Sequence, residues 1–131
     1  MGIEKDFLMR QLMMLFEAIH KIFRYRKDGD KEKALDEIKY FYECLKIEVD
    51  INSMKIEKLI EFLEKDKSLN NEQIEMVAFV LKEQGELSET TEIKVDFFRK
   101  SYFLLNKVES ESITFSMDRQ MKLVELKEFM N

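Results

Sequence analysis

The segment Lys27-Asp28-Gly29-Asp30-Lys31-Glu32-Lys33-Ala34-Leu35 stands between two apolar patterns of helical period and reads as the tight turn of a helical hairpin. A glycine just past a helix end supplies the left-handed backbone position that stops the helix. An aspartate caps the helix that follows, and a small alanine lets the two helices approach closely. This is scaffold chemistry, and it constrains architecture more than activity.

The rest of the chain offers little alternative to helix. Its 131 residues include no proline and only three glycines, which leaves few ways to build β-turns or long irregular loops, and 37% charged residues suit solvated helix faces. An apolar content of 45% over this length is enough for a continuous core without disulfides or metal. The expectation is a single all-α domain, residues 1–131, of five to six antiparallel helices.

The first helix is expected from about Glu4 to Arg26, with Leu8, Leu12, Leu15, Phe16, Ile19, Ile22 and Phe23 as one apolar stripe. Met9, Met13 and Met14 widen that stripe beyond a single face, so the helix is either packed on two sides within its own chain or partly kept for another. Asp30 caps a second helix that turns Ala34, Leu35, Ile38, Phe41, Tyr42 and Leu45 inward and ends near Ile47, completing a hairpin over 4–47.

A second helical set follows over 53–108. A short helix starts at Asn52 or Ser53 with Ile56, Leu59, Ile60 and Leu63 on one side and closes in the polar run Glu64 to Ser68. Asn70 and Gln73 then form a capping-box pattern, with Leu69 and Ile74 placed as a hydrophobic staple, ahead of a helix carrying Ile74, Val77, Ala78 and Leu81. That helix is expected to run through Gly85, because Leu87 continues the spacing and the loop residues come at Ser88 to Thr91. The next helix, roughly Ile93 to Val108, presents Val95, Phe98, Tyr102 and Leu105. Ser116 caps a last helix, 116–130, with Met117, Met121, Val124 and Phe129 inward.

Two segments, Gly29 through Tyr40 and Lys94 through Tyr102, resemble the second helix of a tetratricopeptide repeat, a helix-turn-helix unit of about 34 residues that stacks into a solenoid. Over about residues 4 to 108, from Asp6-Phe7-Leu8-Met9-Arg10-Gln11-Leu12 through the Gly29-Asp30 turn to the Phe98 helix, the chain also resembles a family of small bacterial helical proteins of uncharacterised role with degenerate tetratricopeptide-like hairpins. What the resemblance implies is a soluble bacterial protein with a helical-repeat fold. It brings no activity, cofactor or site residue with it.

The N-terminus does not read as an export or anchoring signal. Glu4, Lys5 and Asp6 lead directly into an amphipathic pattern, Asp6 stands where a myristoylation motif wants Ser or Thr, and the apolar stretch Phe7 to Phe23 is broken by Arg10, Glu17, His20 and Lys21. A cytoplasmic protein without a membrane span is the expectation.

Few residues carry chemistry. Cys44 is the single cysteine and His20 the single histidine, so a structural zinc set cannot be assembled, and no cofactor is implied. His20 and Glu17 lie one helical turn apart beside Lys21, a spacing that permits shared-proton chemistry but lacks a nucleophile. Cys44 follows Tyr40, Phe41 and Tyr42 and reads as a small core side chain. Acidic pairs such as Glu57 with Glu61 and Glu72 with Glu75 read as solvated faces, because a di-metal carboxylate bundle needs two Glu-x-x-His elements and Glu17 to His20 is one. Phosphate-cradling glycine motifs are absent from the sequence.

Two stretches favour binding. Lys21, Arg24, Arg26 and Lys27, with Tyr25 among them, make a basic helix end that suits a nucleic acid or phospho-ligand, although cations also belong there by the helix dipole and Asp28, Asp30 and Glu32 follow at once. The net charge of −5 and a pI near 5.1 oppose broad nucleic-acid binding. Met9, Met13 and Met14, with Met117, Met121 and Met130 near the C-terminus, are soft surface formers suited to a groove or dimer seam. The sequence therefore points first to a non-catalytic protein-protein interaction module whose partner is another protein, a peptide or a second copy. A nucleic-acid or phospho-ligand binder comes second, and a small enzyme using His20 third.

Overall fold

The computed structural model describes residues 2–130, which form six helices and no strand among the described residues. They are α1 (Gly2–Lys27), α2 (Lys31–Cys44), α3 (Ile56–Glu61), α4 (Asn71–Leu87), α5 (Thr91–Glu111) and α6 (Met117–Met130). A 3-10 turn, Ile51–Ser53, precedes α3, and a π turn, Phe62–Asp66, continues it. The chain divides into two compact units, one ending at Val49 and the other beginning at Asp50.

In the first unit α1 and α2 pack on each other. The turn between them is a Schellman motif: Gly29 sits at φ +78°, its N–H donates to the Arg26 carbonyl at 3.1 Å, and the Asp30 N–H donates to the Tyr25 carbonyl at 2.8 Å. Asp30 then caps α2 by accepting the Lys33 N–H at 3.2 Å. The buried residues are Leu15, Ala18 and Ile22 of α1, Ala34, Ile38 and Phe41 of α2, and Leu45 and Ile47 just after it, each large apolar side chain contributing about 1.5–3 kcal/mol on burial.

Two sequence expectations change here. Leu8, Phe16 and Phe23 lie exposed on α1, and Leu35 lies exposed on α2. At about 100° per residue Phe16 and Phe23 stand a quarter turn or more from the Leu15–Ile22 line, outside the strip that one α2 helix can cover. In addition, α2 stops at Cys44, where Lys46 adopts φ +57° and the Ile47 N–H donates back to the Tyr42 carbonyl at 3.0 Å.

The second unit is built around α4, which is buried on nearly every side from Gln73 to Gly85. Its start is the expected capping box: Asn70 Oδ1 accepts the Gln73 N–H and Gln73 Oε1 accepts the Asn70 N–H, both at 2.9 Å. Against α4 packs α5, which buries Phe97, Phe98, Ser101, Leu104, Leu105 and Val108, and the buried Ser101 hydroxyl donates to the Ala78 carbonyl at 2.7 Å. The helix does continue through Gly85.

Corrections in this unit concern α3 and α6. The Asp50 carboxylate accepts the Asn52 N–H at 3.0 Å and caps the 3-10 turn, so Met54 and Lys55 run extended and α3 starts at Ile56 rather than at Asn52 or Ser53. On α6 the residues expected inward, Met117, Met121 and Val124, are exposed, while Arg119 and Leu126 are buried. The reason is polar. Arg119 Nε donates to Glu109 Oε1 at 2.7 Å and Nη2 to the Thr114 carbonyl at 2.8 Å, while Nη1 meets Glu75; Gln120 Nε2 adds a bond to Glu109 Oε2 at 2.6 Å. These bonds fix the roll of α6, and an apolar stripe turned inward would leave the Arg119 charge unpaired. Phe129 is exposed in part, yet its ring stands edge-on to Phe98 with centroids 4.6 Å apart.

Candidate interaction face on the first helix

α1 carries two apolar faces. Leu15, Ala18 and Ile22 form the inner one, with Leu15 and Ile22 fully buried. The outer face holds Met9, Phe16 and Phe23 at seven-residue spacing with Met13 beside them; Phe16 is 50% exposed, Phe23 47% and Met13 61%. Leu12 and Ile19, half-buried, lie between the two faces and extend the outer seam to the 3,4 spacing of Met9, Leu12, Phe16, Ile19 and Phe23. Seven residues are close to two turns, so this seam drifts only about 20° per repeat along the helix.

The helix α1 also extends beyond the cover that α2 provides. Gln11 Nε2 donates to the Cys44 carbonyl at 3.3 Å, which places the last residue of α2 level with Gln11. Residues 2–10 therefore overhang α2 by about 14 Å at 1.5 Å per residue, and Phe7, Leu8 and Met9 are exposed on that overhang.

On a continuous helix Lys21, Arg24 and Lys27 follow at three-residue spacing, so adjacent members share a side of α1, while Arg26 stands apart from them. Lys21 Nζ lies 3.9 Å from Glu37 Oε1 on α2, and Arg24 is exposed. Arg26 and Lys27 flank the Phe23 ring at 5.3 and 5.4 Å, and Lys33 stands 5.9 Å from the half-buried Tyr25 ring. These contacts set Lys21 against a carboxylate and Arg26, Lys27 and Lys33 against aromatic rings.

His20 is exposed on α1, and no group of three His, Cys, Asp or Glu side chains among the described residues could hold a metal ion. Cys44 is half-buried, and its hydrogen bond with the Tyr40 hydroxyl, one turn away, holds that phenol above its ordinary pKa. Met14, Glu17, Ala18, Lys21, Glu37 and Tyr40 line a shallow cleft of about 330 Å³ between α1 and α2. In the second unit an acidic pocket of about 360 Å³ is lined by Asp50, Asn52, Ser53, Glu92, Ile93, Asp96 and Phe97. Lys100 bridges two of these residues, donating to Asp96 Oδ2 at 2.8 Å and to the Asn52 carbonyl.

Met9, Met13 and Met14 are exposed, as are Phe7, Leu8, Phe16 and Phe23; Met9 and Met13 share a side of the helix with Phe16 and Phe23, whereas Phe7 and Met14 lie on the opposite side. The signal for Leu8, Phe16 and Phe23 lay in the sequence as a stripe too wide for one packing face, but the periodicity there is continuous and does not say which edge faces α2. A second apolar surface, Ile113, Phe115, Met117, Met121 and Val124, is exposed at and just before the start of α6. Comparison of the chain with protein-family models, with curated proteins and with solved structures finds no match in any of the three.

Proposed function

We propose that this chain is a non-catalytic protein-protein interaction module of tetratricopeptide-like type, acting in the bacterial cytoplasm. The observation that carries the reading is the division of α1 into a face buried on α2 and an uncovered face of Met9, Met13, Phe16 and Phe23. Contiguous apolar surface of several hundred Å² is uncommon on soluble monomers and marks places where another chain docks. Methionines and phenylalanines serve that role because they bring large contact area and adapt to the partner's shape. The Gly29-Asp30 turn and the buried Ala34, which allows close helix approach, support the tetratricopeptide-like part of the proposal.

Capture from a lysate of the native source, with tagged wild type and Phe16→Glu side by side, tests it. The reading requires a stoichiometric protein that wild type retains at high salt and the variant loses. Retention of nucleic acid, or of proteins released by salt and indifferent to Phe16→Glu, would replace it with an electrostatic one.

A further inference from the structure

We infer that α6 is a strap: it docks on α4 and α5 and lifts from them as one unit, hinged at residues 112–116, while the rest of the second unit stays folded.

Little apolar surface holds this helix down. Among the described residues of α6, Arg119 and Leu126 alone are buried and Leu123 and Met130 are half-buried, whereas α4 is buried on nearly every side from Gln73 to Gly85. Arg119, Leu123, Leu126 and Met130 form its inner seam at 4,3,4 spacing, and the residue at the N-terminal end of that seam is a charge. Further ties are polar or aromatic. Gln120 Nε2 donates to Glu109 Oε2 at 2.6 Å, Lys82 Nζ of α4 lies 3.1 Å from Glu125 Oε2, Lys122 Nζ stands 4.6 Å from the centre of the Phe79 ring, and Phe129 meets Phe98 edge-on. Elements that open locally are those with few buried apolar contacts, and polar ties cost least to open because water replaces them.

The Arg119 clip makes the opening collective. Its guanidinium reaches Glu75 on α4, Glu109 on α5 and the Thr114 carbonyl in the connecting segment, so one side chain fixes the helix and its hinge together. With the guanidinium out, α6 hangs on residues 112–116, where Ile113 and Phe115 are exposed and add no packing. Leu126 and the edge of Phe129 are then the main apolar anchors left. Lifting α6 bares the Phe79 and Phe98 rings, which are buried while it is down.

Native-state hydrogen exchange of the intact chain across sub-denaturing urea tests the strap. The α6 amides should share one protection level, about tenfold or more below that of α4 and α5, with a weaker dependence on urea. Two variants separate strap from core. Ser101→Ala removes the buried bond to the Ala78 carbonyl, which stays made while the strap is up; it should lower protection in α4 and α5 by about tenfold and leave α6 unchanged. Glu75→Gln weakens the clip, which is broken in the lifted and in the unfolded chain alike, so it should lower protection in α6 and in α4 and α5 by the same factor of about ten. Protection in α6 equal to that of α4 and α5 and falling with it in Ser101→Ala would overturn the proposal, since α6 would then open only with the whole unit. So would protection that declines residue by residue toward Met130, which is fraying, or exchange in α6 that is indifferent to Glu75→Gln.

Discussion

Gly85 of α4 lies directly beneath the Phe98 ring of α5: a Cβ built on Gly85 would stand 2.6 Å from Phe98 Cδ1 and 3.2 Å from Phe97 Cβ. The missing side chain is what lets the two helices close on each other. Alanine is intrinsically better in a helix by about 0.5–1 kcal/mol, but overpacking a filled core costs about 1–3 kcal/mol. Gly85→Ala should therefore destabilise the fold by about 1–2 kcal/mol in urea titration. Combined with Phe98→Leu the same alanine should cost nothing or stabilise, and a cost that persists in the double variant would show that the ring is not what excludes the methyl.

Lys46 and Ser68 hold the left-handed backbone position, at φ +57° and +53°, without being glycine. The conformation costs an L-residue roughly 1–2 kcal/mol, partly offset by the extra entropy that glycine brings to the unfolded chain. Lys46→Gly and Ser68→Gly should each raise stability by about 0.5–1 kcal/mol, and Gly29→Ala should lower it by about 1 kcal/mol. Midpoints of chemical denaturation decide the matter, and a loss of stability in either glycine variant would mean that its side chain holds more than the turn.

These three turns mark what the sequence could and could not disclose. The Gly29-Asp30 turn was legible because glycine and a capping aspartate announce it, and the Asn70-Gln73 box for the same reason. Lys46 and Ser68 were invisible because tertiary context, not composition, imposes their geometry. Helical class and the inner residues Leu15, Ile22, Ile38 and Phe41 follow from period alone. The rotation of α6 does not, because it depends on where Glu75 and Glu109 stand relative to Arg119, which is information held by two other helices. The outer α1 face was half legible: its methionines stood out, whereas Phe16 and Phe23 were indistinguishable by spacing from the residues that α2 covers.

Lys107 of α5 gives the second unit an alkaline limit. Its Nζ lies 2.6 Å from Glu64 Oε2 and 2.6 Å from Glu111 Oε2. Burial pulls its pKa down, but the hydrogen bonds to Glu111 and Glu64 and their negative charges outweigh it, so the ammonium is held above the usual lysine range. A group raised on folding lends its full stability below its unfolded pKa and loses it as pH rises through the folded value. Both carboxylates are more than a third exposed, so Lys107→Met at neutral pH should cost only about 1 kcal/mol. That difference between wild type and variant should be constant from neutral pH to about pH 10 and shrink above it, as followed by thermal melts across the alkaline range. A difference that instead widens with pH would contradict the ion-pair assignment.

The two faces of α1 make opposite predictions for neighbouring residues. Leu15 is fully buried, so Leu15→Ala removes packed methyl groups and leaves a cavity, at a cost of about 2–5 kcal/mol. Phe16, the next residue, is half exposed, and Phe16→Glu should change the stability of the isolated monomer by no more than about 0.5 kcal/mol. Chemical denaturation of the two variants beside wild type, in dilute solution and with no other protein present, makes the comparison, because a bound partner would add stability to wild type alone. Equal losses from the two substitutions in dilute solution would mean that the phenylalanine belongs to the core of the fold and not to a surface reserved for another chain.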